Sequence, residues 1–145
     1  MTTPMTAREI VAEARDAERK GAMMGSIRKI LIVDDSATER HVLKDLLTKA
    51  GYDVVASDSA EDAIAKARQV KPDLILMDVV MPGLNGFQAT RAISRDPDTR
   101  AIPIILCTSK SQETDKIWGM RQGARDYIVK PVDPNELVSK IQAFG

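Results

Sequence analysis

Residues 31–36 read LIVDDS: three apolar residues run directly into two adjacent aspartates. Neighbouring side chains of a strand point to opposite faces. An apolar run that does not alternate therefore predicts a strand covered on both sides, as in a parallel sheet sandwiched between helices. Two negative charges where such a strand ends demand a reason.

The rest of the chain repeats the rhythm. KILIV (29–33) is followed by a helical stretch that Ser36 can cap, with Val42, Leu43, Leu46 and Leu47 on one face and Gly51 as its stop. YDVVAS, DLILMD, PIILCTS and RDYIVK read as further strands. AEDAIAKARQV, GFQATRAISR, SQETDKIWGMRQ and PNELVSKIQAF read as the helices between and after them. Five βα units with right-handed crossovers predict an α/β fold, a doubly wound five-stranded parallel sheet with helices on both faces. Ligands of such sheets bind beyond the carboxyl ends of the strands.

Residues 1–29 differ in texture and are expected to be an N-terminal extension. Thr6 and Glu9 form a capping-box pattern, and Ile10, Val11, Ala14 and Ala17 give a thin apolar stripe. This predicts a weakly amphipathic helix at about 6–20 and then a loose linker. The domain proper is expected over 30–145.

Composition narrows the chemistry. The chain has 145 residues, with 21 basic and 21 acidic side chains, so no net charge favours nucleic acid. One cysteine (Cys107) and one histidine (His41) cannot build a His/Cys metal site or an internal disulfide. Cys107 is expected to pack as a small apolar residue, and His41 to be a solvated helix residue. No apolar run is long enough to span a membrane, and no secretory signal opens the chain, so the cytoplasm is the expected location. There is no GxGxxG and no GxxxxGK[ST], which argues against a dinucleotide or Walker-type site.

Polar residues gather at the predicted strand ends: Asp34 and Asp35 after the first, Asp78 at the third, Thr108 and Ser109 at the fourth, Lys130 at the fifth. Taken singly, each has an ordinary explanation as a helix cap or turn former. Together, at the same end of one regular series, they point to a site. Two carboxylates about 5 Å apart repel by about 3 kcal/mol at an effective dielectric near 20. A hard divalent cation removes the conflict, and magnesium combines carboxylates with waters and phosphate oxygens. Asp78 would then be a nucleophile forming an aspartyl phosphate, Lys130 a point charge on a phosphoryl oxygen, and Thr108 a hydrogen-bond donor to another.

LIVDDS, LILMDVVMPGLNGF, CTS and DYIVKPV resemble the receiver domains of bacterial two-component response regulators. The resemblance covers residues 30–144. It implies the flavodoxin-like strand order 2-1-3-4-5 and phosphorylation of Asp78 by a histidine kinase. It implies Mg2+ (or Mn2+) held by Asp35, Asp78 and the carbonyl of Val80, with Asp34 acting through water. It implies that Thr108 and Lys130 contact the phosphoryl group, and that the Lys130–Pro131 bond is cis.

The resemblance also implies a switch. Thr108 moves toward the phosphoryl group and Tyr127 turns inward, remodelling a face for an output protein formed by residues 112–144. Trp118, on the same face, reads equally well as a binding anchor or a core residue. Val80 offers no help to hydrolysis, and Lys110 is a nearby modulator. MPGLNGFQATR, ETDKIWGMRQGARDY and KPVDP are similar to PilH-type single-domain regulators of type IV pilus twitching motility, which belong to chemotaxis-like pathways. Output by binding and output as a phosphate sink both remain open. The alternatives are a small aspartate-dependent phosphohydrolase, which would place a second acid where Val80 stands, and a metal-free pseudo-receiver scaffold.

Overall fold

The computed structural model describes residues 27–109 and 113–145. The predicted N-terminal helix and Lys110 lie outside them. Five strands, β1 (Lys29–Val33), β2 (Asp53–Ser57), β3 (Leu74–Asp78), β4 (Ile104–Thr108) and β5 (Asp126–Val129), form one parallel sheet in the order β2-β1-β3-β4-β5. Helices α1 (Ala37–Lys49), α2 (Ala60–Val70), α3 (Gly86–Arg95), α4 (Glu113–Arg121) and α5 (Pro134–Gln142) follow the strands in turn.

The apolar strands face two cores. Leu31, Val33, Ile75, Met77, Ile104 and Leu106 pack with Ala60, Ala63 and Ala67 of α2 and Ala89 and Ile93 of α3. Ile30, Ile32, Leu74, Leu76, Ile105 and Ile128 pack with Leu43 and Leu47 of α1 and Leu137 and Ile141 of α5. The alternation along each strand is the period of 2, with both faces apolar because both are covered. Cys107 joins the second core, as expected.

Helix starts follow their side chains. Ser36 accepts from the Glu39 N–H, Ser59 from Asp62, and Asp133 from Glu136, each satisfying a donor that the first turn leaves open. Asn85 and Gln88 complete a reciprocal capping box on α3. One detail departs from the sequence reading, and one that it left open is decided. Val42 is exposed rather than facing the core with Leu43 and Leu47. Trp118 is half exposed, together with Ile117 and Met120. The apolar residues of α4 stay outside because the helix approaches the sheet through Gly119, where a Cβ would come 2.3 Å from Leu106 Cδ1.

Candidate phosphoacceptor site

The strand register assembles the site. Asp78 pairs with Cys107 and Thr108 with Val129, and the Lys130 N–H donates to the Thr108 carbonyl at 2.8 Å. The chain ends of β1, β3, β4 and β5 are therefore brought to one edge. Asp34 and Asp78 are buried there, and Asp35 is exposed. One carboxylate oxygen from each of the three lies within 4.8 Å of the others. Among the described residues this is an all-oxygen donor set, which suits a hard cation that keeps part of its water shell.

Lys130 holds the acids together. Its Nζ donates to Asp34 Oδ2 and to Asp78 Oδ1, each at 3.0 Å. The third carboxylate on Nζ is Glu39 Oε1, from the first turn of α1. Glu39 was not anticipated from the sequence. Its signal is its place three residues after Ser36, where a capping box would turn its side chain back to the Ser36 N–H. That N–H is instead taken by Asp34 Oδ1 at 2.9 Å. Both oxygens of Asp34 are thus engaged, one by a backbone amide and one by the lysine. Arg40 Nη1 closes the corner on the Asp34 carbonyl at 2.7 Å.

The electrostatics are those of crowded acids in a partly dry cleft. Burial pushes the Asp78 carboxyl above its ordinary 3.8; Lys130 pulls against that, and Asp34 and Asp35 add to it. Burial pulls Lys130 down, but the hydrogen bonds it donates to Glu39, Asp78 and Asp34 outweigh it and hold the ammonium above its ordinary 10.5. Cys107, behind the site, is pushed up to about 12 by burial.

The loop after Asp78 is fixed to the sheet. Val79 donates to the Cys107 carbonyl at 3.2 Å, and the Gly86 N–H donates to the Val79 carbonyl at 3.0 Å. Val80 is exposed, one residue past this anchor. Thr108 is buried at the end of β4 and lines a shallow cleft with Val79, Phe87, Leu106, Lys116 and Tyr127. Tyr127 is half buried, with the Lys116 ammonium 4.6 Å and the Lys140 ammonium 5.6 Å from its ring centre. The Lys130–Pro131 peptide is cis.

Residues 30–142 match the response regulator receiver domain family. The chain belongs to this family. The receiver domain is 57% identical over 115 residues to protein PilH of Pseudomonas aeruginosa, covering 79% of this chain and 95% of that one. Among solved structures it is similar to chemotaxis protein CheY4 of Vibrio cholerae, at 32% identity and a TM-score of 0.78, covering 83% and 100% of the two chains. It is also similar to the receiver domain of a sensor histidine kinase from Pseudomonas aeruginosa, at 31% identity and a TM-score of 0.76 over 82% and 98% of the chains. That structure carries a magnesium ion coordinated in its active-site cleft. No helix among the described residues of this receiver is long and apolar enough to cross a membrane.

Proposed function

We propose that this receiver accepts a phosphoryl group on Asp78 from a phosphohistidine of a chemotaxis-like kinase, with Mg2+ (or Mn2+) as cofactor. The observation that carries the reading is the joint hold of Lys130 on Asp34 and Asp78, with Asp35 within reach of both acids. Asp78 Oδ attacks phosphorus, the P–N bond breaks as the P–O bond forms, and the imidazole leaves and takes up a proton. When bound, the metal would neutralise the acids and charge on the phosphoryl oxygens. Asp35, Asp78 and the Val80 carbonyl would hold it. Asp34, its oxygens occupied, would reach it through water. Lys130 and the Thr108 hydroxyl would bind phosphoryl oxygens.

The receiver is taken to span residues 30–145, with 1–29 as an appended segment. Its output is a changed binding face on α4, β5 and α5, or the draining of phosphate from a shared kinase. The likeness to PilH supports a role in type IV pilus twitching motility. The exposed apolar Val80, where a phosphohydrolase would carry its second acid, disfavours the hydrolase alternative. The converging carboxylates disfavour a metal-free scaffold.

The test is phosphotransfer from candidate kinases to the wild type and to Asp78→Ala, with and without a chelator. Labelling that needs both Asp78 and the metal is the expected result. Equal labelling of the two proteins would show that the acceptor is elsewhere.

A further inference from the structure

We infer that Glu39 is an internal competitor for the phosphoryl group, occupying the donor of Lys130 that a phosphoryl oxygen must take. The inference rests on the reading of Asp78 as acceptor. An ammonium has three N–H donors and no more. Here the three are directed at Asp34, Asp78 and Glu39. An incoming phosphoryl oxygen can reach Nζ only by displacing one of them.

The three are not equally displaceable. The side chains of Asp34 and Asp78 are 2% and 8% exposed, and both are set by strand ends. Asp34 is pinned further by the Ser36 N–H. The Glu39 side chain is 49% exposed and is long enough to swing into water. Glu39 is therefore the carboxylate that yields.

Local structure explains why it is available. On α3 the equivalent side chain, Gln88, is held by the Asn85 N–H in a closed capping box. On α1 the Ser36 side chain still accepts from the Glu39 N–H at 3.2 Å. The return bond is missing, because Asp34 has taken the Ser36 N–H. Asp34 thus releases the Glu39 carboxylate from capping, and it settles on Lys130. Glu39 acts through Lys130 and is a positioning residue.

The experiment follows phosphorylation by acetyl phosphate in saturating magnesium, with residue 78 identified as the labelled site by mass spectrometry. The transfer breaks the acetyl phosphate P–O bond, forms the Asp78 P–O bond and releases acetate. Glu39→Gln should lower the half-saturating donor concentration by about two- to five-fold, the scale of a half-exposed ion pair. The maximal rate should change less. Glu39→Asp, which keeps the charge and shortens the reach, should fall between. In metal-free protein, the nitrogen-15 signal of the Lys130 ammonium should shift and its protons exchange faster in Glu39→Gln.

An unchanged half-saturating concentration with an unmoved ammonium signal would overturn the proposal. So would a higher concentration accompanied by weaker magnesium affinity, which would place Glu39 among the waters of the metal. A wild type that takes no label at residue 78 would sink the acceptor reading and this inference together. A labelled wild type matched by Glu39→Gln would sink only the inference.

Discussion

Lys130 and Asp78, 52 residues apart in sequence, meet through a 3.0 Å hydrogen bond from Nζ to Oδ1. The contact exists because β3 and β5 are the two neighbours of β4: Asp78 pairs with Cys107, and Lys130 follows the Val129 that pairs with Thr108, so both side chains stand at the same end of the sheet. It makes one cation responsible for neutralising a group of acids that would otherwise repel.

Removing that cation should destabilise the metal-free protein. Truncating one partner of a fully buried ion pair costs about 3–5 kcal/mol, and the open side of this cleft reduces the expectation to about 2–3 kcal/mol for Lys130→Met. Urea unfolding in chelator measures it. Magnesium, which binds the folded state, should restore more stability to the variant than to the wild type. The sign with pH follows from the raised ammonium. Its contribution is complete below 10.5 and is lost as pH rises through the higher folded value, so the two proteins should converge in alkali.

Substituting Asp78 should have the opposite effect on the stability of the metal-free protein. Because burial raises its pKa, the folded protein binds more protons than the unfolded chain between 3.8 and the raised value. Its contribution to stability therefore falls as pH rises through that window. At pH 7 without metal, Asp78→Asn is expected to melt at or above the wild type. It should also gain less from magnesium, and the difference should vanish in acid. Thermal melts across pH, with and without magnesium, check this.

Gly86 should tolerate no side chain. A Cβ there would lie 2.1 Å from the Asp78 carbonyl oxygen and 2.9 Å from the Val79 Cα, both backbone atoms that cannot rotate away. Gly86→Ala should cost about 3 kcal/mol, the upper range for overpacking. It should also slow labelling of Asp78, because the strand end itself must shift. Denaturant titration and phosphorylation kinetics read the two effects.

Tyr127 lines the cleft beside Thr108, flanked by two ammonium groups. If its ring carries the output, Tyr127→Ala should still be phosphorylated but should lose phosphorylation-dependent binding of its partner. Binding assays with and without acetyl phosphate decide the point. Dependence that survives the substitution would reject an aromatic switch.

Cys107 is buried, and its thiol is pushed up to about 12. At pH 8 the native thiol is protonated and covered, so maleimide should not label it. Labelling should appear only as denaturant unfolds the chain, at a rate set by opening. Fast native labelling would contradict the burial.

The sequence by itself determined the layout. Continuous apolar runs alternating with amphipathic stretches specify buried strands and covering helices, because backbone geometry fixes the two periods. The caps Asn85 and Asp133 emerged only from the structure, whereas the start of α1, with Ser36 as its cap, was legible. So were the residues at the strand ends, since a parallel sheet puts all its carboxyl ends on one side.

Only the tertiary structure decided what those residues do to one another. That Lys130 spends its third donor on Glu39 depends on Asp34 having claimed the Ser36 N–H, a competition between groups on different elements. That Trp118 stays outside depends on how closely α4 approaches the sheet, which Gly119 sets. Local periodicity records which face a residue shares, whereas partners and depth are fixed only when separate elements pack.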